Sequence, residues 1–468
     1  MVINPHSFTK CPKILSMPPE ILIHILSYLE WYQLVSVQAV SHTFREFVRS
    51  SVELRYIIEL GADKLVHNDL HDGSAPLTTQ DRLNLLLDRR RRWRMLDWTN
   101  RTTIPLPGSC QAYELVGGVF AKSMRGVFED MWPPASRHFI AARLPTRNYL
   151  NSDNSDDSNR IIREDLGIWT RDFAIDPTQD LLVLLEVNLI GWIRIHVRTL
   201  STLEIHPTAT KSPLTSDPLP SDNPQELQIS NCFLQIVGDT VGMFYWQSGH
   251  CLRVWNWHTG NMIAYQNEMD LPMGCWDLTF LSTRAYMITC AGEVGSLDLY
   301  AINETSLDGT VQPPTQVLRL RLPELRPHRH LRTISTHSAP YLARPEALEN
   351  PFVQHQDDRI HVVQLLYGDL MPGYTMYVKN EYLLSLMDQM REQRGVYHEL
   401  QVQDTTPYYS PELVHSDAPE NRHLPLINNY QYLAWEDWGP SNTRFLQQDL
   451  RFQWLRYASQ MGSWPRLR

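Results

Sequence analysis

His328-Arg329-His330 offers two imidazoles that alternate strand residues would turn to one face, the beginning of a metal or general-base site. Such a site needs a carboxylate or thiolate beside them and none is near, so the histidines read as surface residues of an Arg-rich loop. The six cysteines (Cys11, Cys110, Cys232, Cys251, Cys275 and Cys290) contain no close pair, which excludes the usual zinc spacings and gives no disulfide framework. Gly117-Gly118 lacks the third glycine and the helix of a dinucleotide site. The chain holds no Gly-x-Ser-x-Gly, no phosphate-binding Gly-x4-Gly-Lys-Ser/Thr and no His-Glu-x-x-His. Asp176, Asp277 and Asp298 fall near expected strand ends, where aspartates hold turns together. The arginines 89 to 92 with Arg94 have two readings: an anion or acidic-partner site, or a solvated helix face paired with Asp81, Asp88 and Asp97. The second is the simpler. No catalytic residue, metal ligand or cofactor is expected, and the chain reads as an interaction protein.

The elements that must present an interaction surface start near the N-terminus. Residues 14 to 48 read ILSMPPEILIHILSYLEWYQLVSVQAVSHTFREFV. Ile21, Leu22, Ile25, Leu26 and Leu29 recur at helical spacing after a Met-Pro-Pro-Glu start. Proline is free at a first helical position because its missing N–H has no intrahelical partner, Ser16 stands where an N-cap would, and Glu20 suits the helix dipole. Further apolar sets follow at Leu34, Val35, Val37 and Val40, then at Phe44, Phe47 and Val48. Three helices this short cannot bury much surface among themselves, so their core is expected to be completed by something else.

This stretch resembles an F-box, the adaptor-binding module of Skp–cullin–F-box ubiquitin ligases. The resemblance rests on Met17-Pro18-Pro19-Glu20-Ile21-Leu22, on Ile25-Leu26-Ser27-Tyr28-Leu29 and on Val40-Ser41-His42-Thr43-Phe44-Arg45. It departs from the family where Met17 replaces a leucine and Trp31-Tyr32-Gln33 replaces an acidic dipeptide, a swap that either alters the adaptor contact or packs internally. The resemblance implies a Skp-type adaptor, and through it a cullin scaffold, as partners. It implies an adaptor-binding set of Pro18, Ile21, Leu22, Ile25, Leu29, Leu34, Val37 and Val40, shared between packing and binding.

Helical periodicity continues from Val52, with Gly61 as an expected C-cap, and resumes after Thr78-Thr79-Gln80-Asp81. Trp93, Leu96 and Trp98 match the end of a helical neck seen in fungal F-box proteins. Beyond residue 100 the period becomes strand-like. Asp176 to Asp180 is a hairpin signal, and strand pairs are expected at 232–237 with 241–246 and at 278–281 with 285–289, each leading to a third strand. Val254 to Gly260 resembles the Trp-Asp ending of a WD-repeat blade. Triplets recurring every forty to sixty residues predict a diverged β-propeller in preference to a β-sandwich or two smaller β domains. Residues 151–159 and 211–224 read as loops. Asn380 to Gln393 reads as an inserted helix with a possible Asn380 N-cap; its methionine face either meets substrate or covers an open end of the β domain.

The expected fold is therefore multidomain α + β: a tail (1–13), an F-box (14–60), a helical neck (61–100) and a large all-β, propeller-like domain (101–468) with a helical insertion near 380–393. A net charge of −10 argues against general nucleic-acid binding. The most apolar run, Leu181 to Ile193, is too short to cross a bilayer, and no signal pattern opens the chain, so an intracellular location, cytoplasmic or nuclear, is expected with no membrane contact. The expected function is that of substrate receptor in a ubiquitin ligase, with an unknown protein substrate on the β domain. The alternatives are a propeller scaffold or peptide- or glycan-binding module unconnected with ubiquitin, and a propeller hydrolase.

Overall fold

The structure, a computed structural model, describes residues 14, 17–68, 77–98, 101, 103–124, 135–144, 160–163, 165–186, 192–216, 229, 232–247, 249–292, 294–303, 310–324, 330–341, 351–354, 358–367, 373–403 and 432–447. The chain divides into two units, one of residues 1–105 with 344–356, the other of residues 106–343 with 357–468.

The first unit is helical: α1 (Pro19–Leu26), α2 (Trp31–Val40), α3 (His42–Ser50), α4 (Val52–Ala62) and, after strand β1 (Leu65–His67), α5 (Thr79–Met95). Serines stop and restart the chain between helices. The Ser41 hydroxyl accepts from the Phe44 amide at 3.2 Å and Ser51 from Leu54 at 3.3 Å, satisfying N–H groups that have no intrahelical partner. Thr78 and Asp81 form a reciprocal capping box at the start of α5. Asp81 is thus a cap, where its proximity to the arginines suggested an ion-pair partner. Gly61, expected as a C-cap, lies inside α4, whose C-cap is Asp63. Nothing in the residue pattern signals that β1 pairs antiparallel with Phe352–Gln354, a segment nearly three hundred residues away.

Among the described residues, the second unit is a propeller of five blades, each an antiparallel meander. Blade one comprises β2 (Ala112–Val116), β3 (Val119–Met124), β4 (His138–Arg143) and β5 (Arg160–Arg163). Blade two comprises β6 (Thr170–Asp176), β7 (Leu181–Glu186), β8 (Ile193–Thr199) and β9 (Leu214–Ser216). Blade three comprises β10 (Cys232–Val237), β11 (Thr240–Trp246), β12 (His250–Asn256) and β13 (Asn261–Gln266). Blade four comprises β14 (Cys275–Ser282), β15 (Ala285–Cys290), β16 (Ser296–Ala301) and β17 (Thr315–Arg321), with β22 (Tyr432–Leu433) added in parallel. Blade five comprises β18 (Leu331–Ser338), β20 (Ile360–Tyr367), β21 (Gly373–Lys379) and β23 (Thr443–Gln447); the segment Phe352–Gln354, β19, lies between its first two strands in sequence. Strand β9 occupies part of the stretch expected to be a loop, whereas residues 151–159 lie outside the described residues.

Apolar clusters fill the spaces between consecutive blades. Leu181, Val183, Ile193 and Ile195 of blade two meet Val241, Met243 and Trp255 of blade three; Phe244, Leu252 and Val254 meet Phe280, Tyr286 and Ile288 of blade four. Polar side chains on the inner strands add a second link. The Glu114 carboxyl group accepts from the Ile175 amide at 2.9 Å, Gln235 accepts from Phe280 N at 3.2 Å, and Asp277 accepts from Thr336 N at 2.8 Å. Each bond runs from one blade to the next. Asp277 therefore joins blades instead of holding a turn, and Asp298, buried in mid-strand, is clasped by Arg319, Gln316 and Ser296. Only Asp176 holds a turn, its carboxylate accepting from Thr178 N at 3.0 Å before Asp180 adopts a left-handed φ of 53°. On the other side of blade one, Tyr113 and Leu115 stay exposed.

Helix α6 (Asn380–Gln403) follows β21, and α7 (Trp435–Asn442) precedes β23. Leu383, Leu386 and Met387 are buried with Trp438 in the core shared by blades four and five, so the described apolar face of α6 packs on the β domain. Asn380 is the first helical residue. Its Oδ1 accepts from His361 Nε2 at 2.9 Å and its Nδ2 donates to the Leu281 carbonyl at 3.1 Å.

Candidate adaptor interface

Two prolines open α1. Pro18 is the N-cap, at φ −55° and ψ 141° with no side-chain cap bond, and Pro19 is the first helical residue. Ser16, expected as the cap, lies outside the described residues. Because successive turns of an α-helix carry side chains at i, i+3 and i+4, the run Ile21-Leu22-Ile23-His24-Ile25-Leu26 divides between two faces. Leu22 and Leu26 are buried, and Leu26 joins Leu34, Val48 and Leu54 in the core of the head, with Ile23, Leu29, Val37 and Phe47 packed around them. Ile21 and Ile25 face outward at 49% and 42% exposure.

The eight expected site residues therefore separate. Pro18, Ile21, Ile25 and Val40 are exposed, Leu29 and Val37 are partly buried against the core, and Leu22 and Leu34 are inside it. The structure adds residues outside that set: Ile14, Met17, Tyr28, Tyr32 and Val35 are also exposed large apolar side chains of this segment. Tyr28 and His24 are in contact, ring centroids 5.2 Å apart. Periodicity could have separated the outward set, since Ile21 and Ile25 are four apart; it could not say which face was outward without the helix that covers the other.

Trp31 packs internally. A Cβ on Gly61 would overlap the Trp31 indole, so α4 approaches α2 closely because residue 61 has no side chain. Lys64 lies over the same ring at 5.8 Å. Gln33 completes a capping box with Glu30. The aromatic replacement thus supports the head from within, while Tyr32 remains at the surface.

Three of the arginines of α5 are engaged within the helical unit. Arg90 donates to Asp63 at 2.9 Å and also to the Glu59 carboxylate and carbonyl, tying α5 to α4; Glu59 and Asp63 were not among its expected partners. Arg91 and Arg92 bond Asp88, and Arg91 also pairs with Asp97 at 3.1 Å. These contacts hold the Asp88 carboxyl below its ordinary range. Trp93, Leu96 and Trp98 are exposed.

Burial pushes the Cys275 thiol up to about 12 and raises Cys251 and Cys290. His361 is held neutral by burial, its value lowered to about 4. Of the His328-Arg329-His330 triplet only His330 is among the described residues. Among the described residues, no group of three His, Cys, Asp or Glu side chains is placed to hold a metal ion, and no helix is long and apolar enough to cross a membrane.

Fold and surface together define a small helical head with an outward apolar face, carried on the same chain as a five-bladed β-propeller. Residues 14–56 match the family model described as F-box-like; the chain has an N-terminal F-box-like domain followed by a propeller. No curated protein matches the chain. F-box domains typically bind Skp-type adaptors, and proteins that carry them generally act as substrate receptors.

Proposed function

We propose that this protein is the substrate-recognition subunit of a Skp–cullin–F-box ubiquitin ligase. The F-box binds a Skp-type adaptor and, through it, a cullin; the propeller holds a protein substrate. The observation that carries this reading is the outward apolar face of Met17, Ile21, Ile25 and Tyr28, exposed while Leu26, Leu34, Val48 and Leu54 make the core of the head. Water contact with so many large apolar groups in one short segment is costly, and a partner surface removes it. Within the site, Pro18 fixes the entry to α1, Ile21, Ile25 and Val40 make contact, and Leu22, Leu29, Leu34 and Val37 hold the contacting face in shape.

The chain performs no ubiquitin chemistry in this scheme. It raises the effective concentration of substrate beside the conjugating enzyme, which a two-ended receptor does by proximity alone. The test is capture of the full chain from cells in which proteasomal degradation is blocked. The expected result is adaptor, cullin and ubiquitin-modified proteins in the same complex; a chain that brings down proteins but no adaptor would point to a propeller scaffold instead.

A further inference from the structure

The connection from β13 to β14, residues 267–274, forms a fixed rim between blades three and four. Asp270 accepts from the Asn267 amide at 3.1 Å, the Asn267 side chain accepts from Met269 N at 2.8 Å, and Leu271 is buried between the two blades. With Leu271 anchored inward, Met269 and Met273 on either side of it are 90% and 97% exposed. Three exposed aromatics belong to the two blades that this rim joins. Trp276 follows it at the start of β14; Phe233 begins β10, and Trp246 ends β11. Phe233 stacks on buried Phe244 at 6.5 Å, Phe244 stacks on His250 at 5.1 Å, and Trp246 meets His250 edge-on at 4.6 Å, so this shelf is built on the core.

The rim is acidic as well as apolar. A Cβ on Gly249 would overlap the Glu268 carboxylate, which places that carboxylate against the turn joining Trp246 to His250. His250 is kept neutral by burial and does not neutralise it. Among the described residues neither Glu268 nor Asp270 is in an ion pair. Flexible methionines and flat aromatics accept varied apolar side chains, while aromatic faces beside carboxylates suit a cation.

We propose that this shelf on blades three and four is a docking surface for an extended peptide in which a large apolar side chain stands next to Lys or Arg. The apolar side chain rests on Met273 and Trp276, and the cation meets Glu268 and Asp270. The inference rests on the reading of the propeller as the substrate-holding half, and it names the class of substrate segment.

The test uses the full-length chain and a short fluorescein-labelled peptide, a central Trp flanked by Lys in a Gly-Ser background, against its counterpart with Glu in place of Lys. Fluorescence anisotropy at fixed salt should show the Lys peptide binding about tenfold tighter, the scale of one cation–π contact with a partly exposed ion pair. Glu268→Gln with Asp270→Asn should erase that preference, and Met273→Ser with Trp276→Ala should weaken the Lys peptide by a similar factor. Circular dichroism checks that both double variants stay folded; Met273 and the two acids can change without disturbing the core. Equal binding of the two peptides, no binding of the Lys peptide below about 1 mM, or folded variants that bind as the parent does would each overturn the proposal. Adaptor copurification of the same proteins separates the two readings: if the parent keeps its peptide preference but binds no adaptor, the ligase reading falls and this surface stands. If the parent binds the adaptor but shows no peptide preference, this surface falls and the ligase reading stands.

Discussion

Ile21 and Ile25 contribute nothing to the core of the head, whereas Leu22, between them in sequence, is buried. This contrast makes single residues informative. Leu22→Ala should cost the head about 2–5 kcal/mol of stability through the cavity it leaves, read as a lower melting temperature, while Ile21→Ala should barely move it. A different residue-scale effect concerns Glu114, whose carboxyl is pushed up to about 8 by burial, against the hydrogen bond from Ile175 that favours ionisation. The unfolded chain ionises this group near its ordinary 4.5, so its stabilising contribution is complete below that pH and is lost as pH rises towards 8. Glu114→Gln keeps an acceptor for the Ile175 amide and removes the titration. Its melting temperature should fall less than the parent's between pH 6 and 8, the interval above the Asp172 value of about 6. An unchanged slope would show that Glu114 is ionised in the folded protein.

At the scale of elements, α4 and α5 are joined by Arg90, whose side chain is 21% exposed and bonded to both Glu59 and Asp63. Arg90→Ala should lower the stability of the helical unit by about 1–2 kcal/mol, discounted for its partial exposure, whereas Arg92→Ala, at the surface, should change it little. Neither is expected to affect substrate capture; loss of capture without loss of stability would place the substrate on α5. Much at this scale was legible in sequence. Ser41, Ser51 and Thr78 are capping types before apolar periodicity, and the turns at Asp176 to Asp180 and at Thr259-Gly260 mark hairpins by residue type alone. What was not legible depended on distant contacts. Gly61 looked like a helix end because the indole it accommodates, Trp31, is thirty residues earlier. Asp277 looked like a turn residue because its partner, the Thr336 amide, belongs to another blade. The outward face of α1 became visible only once Leu34, Val48 and Leu54 were seen to cover the other.

At the scale of the whole molecule, the chain leaves blade five after β18 to supply β19 to the helical unit before returning as β20. The two units are thus not separable at one point in the sequence. A chain lacking its first hundred residues should retain the β circular dichroism of the blades but lose the partner of Phe352–Gln354. Protease cleavage near those residues should rise; equal protection would mean that β1 is not what holds them. Direct titration of a Skp-type adaptor against the intact chain tests most closely whether the outward face of the F-box-like head is its binding surface. The comparison is the parent with Ile21→Asp plus Ile25→Asp, both at exposed positions and so compatible with an intact core. Withdrawal of two isoleucines from a partner surface and their replacement by carboxylates should weaken binding at least about a hundredfold, with the melting temperature preserved. A folded double variant that binds the adaptor as tightly as the parent, or a parent that does not bind it, would contradict the account.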